Sequence, residues 1–169
     1  MLLVILFAVS LVAEDGQRAA ASSTPADACA LLTSAEVEAV LGESVKERKP
    51  GTRATGGLLT SQCFFGTSTA RSVSLTVTRA NAAGRSALTP REYWRRQFHR
   101  PEQENERDTR ARPIAGVGEE AYWTGNRFAG ALYVLRGDAF LRISVGGIQD
   151  EEARIAAAKA LARAAVKRL

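Results

Sequence analysis

From Ser72 to Thr78 the chain alternates without a fault: Val73, Leu75 and Val77 are apolar, with hydroxyls between them. That period of two predicts a strand with one face on a core and the other in water. Leu58 to Phe65, apolar around Cys63, reads as a second strand, and Val45 to Lys49 as a short edge strand. Beyond the chain's midpoint, Pro113 to Gly118 leads into a strand at Glu120 to Thr124. Phe128 to Leu135 and Ala139 to Val145 then pair as a hairpin over Gly137-Asp138, with Leu141, Ile143 and Val145 toward the core.

Helices are announced by their caps. Thr33-Ser34-Ala35-Glu36 is a capping box, with Leu32 and Val37 at the staple positions and Gly42 as the stop. The same signature recurs at Thr89-Pro90-Arg91-Glu92, where Tyr93, Trp94 and Phe98 supply the apolar surface and Pro101 the end. The repeated pattern invites a reading as internal duplication, but generic capping chemistry explains it more simply. A third helix runs from the N-cap Asp150 to near Leu169, with Glu151 and Glu152 in its first turn and Lys167 and Arg168 in its last. Arg100 to Arg112 is charged and uncapped, and reads as a surface loop. Helices alternating with strands give an α+β fold: an antiparallel sheet flanked by helices, in a single domain over residues 29–169.

Leu2 to Val12 is an apolar stretch too short to span a bilayer as a helix. It fits the apolar region of a secretory signal peptide over residues 1–21, followed by a flexible leader over 22–28. No Lys or Arg precedes the run, and an N-terminal strand or helix of the mature fold is the alternative. Two cysteines, Cys29 and Cys63, lie downstream. Behind a secretion signal an even thiol count predicts a disulfide and a secreted or periplasmic address, the alternative being two separate buried thiols. Such a bridge would contribute on the order of 3–4 kcal/mol by restricting the unfolded chain. Pro25 to Ala28 make a poor lipobox, so Cys29 suits a bridge better than a lipid anchor.

The chain of 169 residues carries a net charge of +5, nearly all of it arginine. Arg91, Arg95, Arg96 and Arg100 give the second helix a basic flank. For a secreted chain this suits an anionic envelope polymer or lipid, and nucleic acid is not an expected partner. A solvated face is the plainer explanation. The aromatic pairs Tyr93–Trp94 and Tyr122–Trp123 are candidates to line a ligand groove, against the plainer reading of core packing.

Catalytic and cofactor signatures are weak. A lone His99 cannot build a His/Cys metal centre, and no metal or cofactor is expected. Gly116-Val117-Gly118-Glu119-Glu120-Ala121 spells a loose dinucleotide pattern, but its glycines precede a strand instead of opening a helix. Arg136-Gly137-Asp138 is an adhesion tripeptide whose turn role accounts for it. Glu119 and Glu120, as neighbours on a strand, should face opposite sides and so cannot pair as acid and base.

Cys29 to Gly42, Ser61-Gln62-Cys63-Phe64-Phe65, Gly116 to Trp123 and Arg136 to Val145 together resemble small secreted domains common in actinobacterial and other bacterial lipoproteins and extracellular sensor modules. The resemblance covers most of residues 29–169. It implies a disulfide between the two cysteine positions and a helix-flanked antiparallel sheet of the photosystem extrinsic-protein (PsbP-like) type. It implies no catalytic residues, and many such domains have no assigned function. The expectation is therefore a non-catalytic secreted domain that binds a ligand or an envelope partner. The alternatives are a carboxylate-dependent envelope hydrolase drawing on Glu119, Glu120, Asp138 and Asp150, or a structural adaptor.

Overall fold

A computed structural model describes residues 27–81, 88–99 and 111–169. The proposed signal peptide, Arg100 and most of the expected Arg100–Arg112 loop lie outside the described residues. Among the described residues the fold is α+β: a seven-stranded antiparallel sheet in the order β1-β2-β3-β7-β6-β5-β4, with three α-helices. The strands are β1 (Glu47–Thr55), β2 (Leu58–Gly66), β3 (Ser72–Ala80), β4 (Arg112–Pro113), β5 (Glu120–Gly125), β6 (Gly130–Arg136) and β7 (Ala139–Gly146). The helices are α1 (Ser34–Leu41), α2 (Pro90–Phe98) and the long C-terminal α3 (Glu151–Val166), preceded by a 3₁₀ turn at Ala28–Leu31.

Both capping boxes form as their sequences require. Thr33 accepts from the Glu36 amide while Glu36 caps the Thr33 amide, and Thr89 and Glu92 do the same for α2. Gly42 takes the left-handed conformation that closes α1, at φ 71°. Asp150 caps α3 through the Ala153 amide at 2.7 Å.

The short edge strand expected at Val45 to Lys49 is instead the nine-residue β1, exposed along its whole length. Its composition hides it, because Pro50, Gly51 and four charged residues are ordinarily poor strand formers. As an edge it needs no buried side chain, and Pro50 and the charges discourage pairing with another chain. The turn Gly56-Gly57 joins β1 to β2, with both residues at positive φ as a type I′ hairpin turn demands. Thr55 and Leu58 close the ladder at the turn.

Alternation sorts the side chains between two faces. Val73, Leu75 and Val77 of β3, Leu132 and Val134 of β6, and Leu141, Ile143 and Val145 of β7 all bury on one face. There they meet Val37 and Leu41 of α1 and Ile155, Ala158, Leu161, Ala162 and Ala165 of α3. The alanine-rich stripe of α3 lets that helix lie close to the sheet. Cys29 and Cys63 form a disulfide with Cα atoms 4.9 Å apart, fastening the 3₁₀ turn to β2 within this core. Nearby, Ala28 N–H donates to Ser61 Oγ at 3.0 Å, and Arg48 donates to the Cys29 carbonyl. On the opposite face, α2 covers β5, β6 and part of β7 over a smaller apolar cluster.

Candidate functional site

The four aromatic candidates separate. Trp94 is buried under α2 against Leu135 and Phe140, bordered by Phe98, Tyr122 and Tyr133. Tyr93 stacks on Phe140 with ring centroids 5.3 Å apart, and Phe98 stacks on Tyr122 at 4.8 Å. Trp123 lies on the other side of the sheet, buried in the main core, where its Nε1 donates to Glu151 Oε1 at 2.8 Å. Tyr122 and Trp123 are adjacent on β5, and adjacent strand residues point to opposite faces. A single groove lined by all four is therefore ruled out by the pleat. Tyr93, Trp94 and Tyr122 belong together, and Trp123 does not join them.

The basic flank of α2 is also divided. Arg91 donates to Glu119 Oε2 at 2.6 Å and lies 3.8 Å from Asp138 Oδ1. The hydrogen bond to Glu119 is the main reason its guanidinium is held even more firmly protonated than usual. Arg95 and Arg96 are exposed on the helix. Glu119 precedes β5 instead of lying in it, so the expectation that the two glutamates face away from each other needs correction: both reach α2. Glu119 also accepts from the Gly137 amide at 2.7 Å, and its carboxyl titrates below the usual range, first because of that bond and then because of Arg91. Glu120 accepts from Trp94 Nε1 at 3.0 Å and lies 2.7 Å from His99 Nε2. The Trp94 bond is the largest reason its carboxyl is lowered too. Tyr122 beside it is shifted upward, by burial first and the Glu120 charge second.

The part of this sheet face that α2 leaves open is built from cross-strand rows. One row places Gln62, Thr76, Arg142 and Tyr133 on successive strands; the next, at the margin of α2, places Thr60 beside Thr78 and Phe140, the last two each 6% exposed. Thr60 and Thr78 share a hydrogen bond between hydroxyls at 3.0 Å. Arg142 Nε donates to Tyr133 Oη at 3.1 Å, and the guanidinium carbon lies 5.8 Å from that ring's centroid.

Two clefts occupy this face. One, of 400 Å³, has a floor of Thr60, Thr76 and Thr78 and an aromatic wall of Tyr93, Tyr133 and Phe140. The other, of 480 Å³, lies over Ser74, Ser144 and the β5–β6 turn, with Phe128 at its rim. Among the described residues Arg142 is the one they share, and no carboxylate lines either. Tyr93 and Phe128 are the two large hydrophobic side chains exposed among the described residues, at 38% and 74%. Each stands at one of the clefts. Their volumes lie within the range ordinary for small-molecule sites.

Thr60, Thr76, Thr78, Phe128, Tyr133, Phe140 and Arg142 were not singled out by sequence. The signal was present in the outward hydroxyls of Ser72 to Thr78, a polar row along β3 that is half-buried at Ser72, Ser74 and Thr76 and buried at Thr78. What joins that row to Arg142 and Tyr133 is strand pairing between distant segments, which periodicity cannot supply.

Both cysteines are spent in the bridge, leaving no free thiol. Among the described residues no group of three or more His, Cys, Asp or Glu is placed to hold a metal ion. No family model matches the chain, and neither a curated protein nor a solved structure matches it.

Proposed function

We propose that this chain is a non-catalytic domain of the cell exterior or periplasm, and that it binds a ligand on the open sheet face between Tyr93 and Phe128. The observation that carries the reading is the coincidence at this face. The exposed large hydrophobic side chains among the described residues flank two clefts that meet at one half-buried arginine. Scattered single hydrophobics need no explanation, but aromatics gathered around convergent polar groups are the ordinary form of a binding site. The disulfide supports an oxidising compartment. The apolar N-terminal run adds to that support, and the resemblance to secreted bacterial domains agrees with it.

The hydrolase alternative has less support. Glu119 and Glu120 fasten α2, Asp150 caps α3, and Asp138 stands 95% exposed beside Arg91. A broad apolar adaptor surface is likewise not built from Tyr93 and Phe128 alone.

The test is a thermal-shift screen of the full chain with oligosaccharides, anionic lipid vesicles and small organic acids, run in parallel on Thr76→Trp. Tryptophan suits a half-buried strand position such as Thr76 and would fill the cleft beside Arg142. A ligand that stabilises the parent and not the variant supports the reading. A screen with no stabilising compound, or one in which both proteins respond alike, overturns it.

A further inference from the structure

Arg142 stands apart from the other arginines of the structure. Arg71, Arg79 and Arg154 are the other described arginines that are not exposed, and each ends on a backbone carbonyl, of Leu41, Leu169 and Asn126. Arg142 is also half-buried, in the middle of the central strand of the sheet. It makes a single hydrogen bond among the described residues, through Nε to Tyr133. That bond fixes the plane of the guanidinium, and neither terminal nitrogen donates to another described residue.

A cation taken partly out of water without a counter-charge is unfavourable, and the planar donors of arginine match a carboxylate in paired geometry. Between Thr76 and Tyr133 the guanidinium borders both clefts, neither of which has a carboxylate among the described residues. The Tyr93–Phe140 stack lines the same cleft as the guanidinium. Ser144, in the second cleft, has its Oγ buried with no hydrogen-bond partner among the described residues.

We infer that the groove takes a small organic carboxylate, its anionic group paired with the terminal nitrogens of Arg142 and its apolar body against Tyr93 and Phe140. The inference rests on the binding reading above and narrows it to one ligand class. A neutral sugar would leave the guanidinium unmatched, and a large polyanion would find one cation here and not a row of them. Tyr133 is a positioning residue in this account, acting through Arg142.

The probes are 4-phenylbutyrate and its neutral counterpart 4-phenylbutyramide, titrated into the full chain while backbone amide resonances are followed. The carboxylate should perturb Thr76, Thr78 and Tyr133 and bind at least about tenfold more tightly than the amide, since charge-assisted pairing is the difference. Arg142→Gln should lose that tenfold and Arg142→Lys should retain part of it. Equal binding of acid and amide to the parent overturns the inference even if a variant fails to fold, and so does an unchanged affinity in Arg142→Gln. If neither probe engages the groove while a compound from the thermal-shift screen does, the carboxylate assignment falls and the binding reading survives. If nothing engages it, both fall.

Discussion

The indole of Trp94 is buried under α2, and its Nε1 donates to Glu120 Oε2 across 3.0 Å, so the helix is tied to β5 by one charge-assisted bond at its centre. Glu119 and Arg91 repeat the tie one turn earlier. The position of Tyr93 over Phe140, and hence one wall of the 400 Å³ cleft, depends on these two glutamates.

Replacing Glu120 with Gln keeps the shape and removes the charge. The variant should lose roughly 1–2 kcal/mol, the ordinary difference for a hydrogen bond to an ionised group. Hydrogen exchange should quicken in α2 while the β3–β7 ladder keeps its protection. The carboxyl titrates low in the folded state, chiefly through Trp94. Its contribution is therefore present above the unfolded carboxylate value and fades as pH falls through the lower folded one. Glu120→Gln should flatten that acid-side loss, as chemical denaturation across the acid range would record.

A second acid-sensitive tie joins α1 to the segment that follows α3. Arg168 donates to both oxygens of Glu36, at 2.8 and 2.9 Å, and holds that carboxyl at about 2. Its stabilising effect is fully present above the unfolded carboxylate pKa near 4.5 and is lost between there and about 2. The Glu36 side chain is 31% exposed, so solvent screening leaves the effect on the order of 1 kcal/mol. Arg168→Met should lower stability at pH 6 by about that amount and leave stability at pH 2 nearly unchanged. Equal losses at both values would show that the pair contributes only packing.

Cys29 and Cys63 are 4% and 0% exposed. Dithiothreitol should therefore reduce the folded protein slowly and the unfolded protein quickly, with alkylation of the released thiols as the readout. The bridged positions are 34 apart in sequence. The Cys29→Ser, Cys63→Ser double variant should lose about 3–4 kcal/mol if the bridge acts on the unfolded chain.

Two glycines with similar backbone angles should respond differently to alanine. Gly56 and Gly118 have φ of 56° and 64°. A Cβ on Gly56 meets nothing within 4 Å, while one on Gly118 would lie 2.4 Å from Val134 Cγ1 and 2.6 Å from the Leu135 carbonyl oxygen. Both substitutions cost the left-handed strain of roughly 1 kcal/mol. Gly118→Ala should cost a further ~1–3 kcal/mol through overpacking, read as a larger drop in denaturation midpoint.

How far the fold is legible in the sequence follows from where each signal resides. Thr33–Glu36, Thr89–Glu92, the alternation about Leu75 and the turn at Gly137-Asp138 are local, and each forms as its sequence requires. β1 escapes because Pro50 and its charges are acceptable only to a strand that is an edge, a property of the assembled sheet. Within the candidate site, period-two logic suffices to part Tyr122 from Trp123. It cannot place Arg142 beside Thr76, because 66 residues separate β3 from β7 at that register and only the pairing joins them. Arg142 in isolation reads as one polar member of an alternating strand.

The most direct test of the central claim is a map of where a ligand lands. With the strongest stabiliser from the thermal-shift screen added to the full chain, amide chemical-shift changes should concentrate at Thr60, Thr76, Thr78, Tyr133 and Arg142, with the α3 face silent. Changes centred on α1 and α3, or spread with no focus on the open sheet face, would contradict the account.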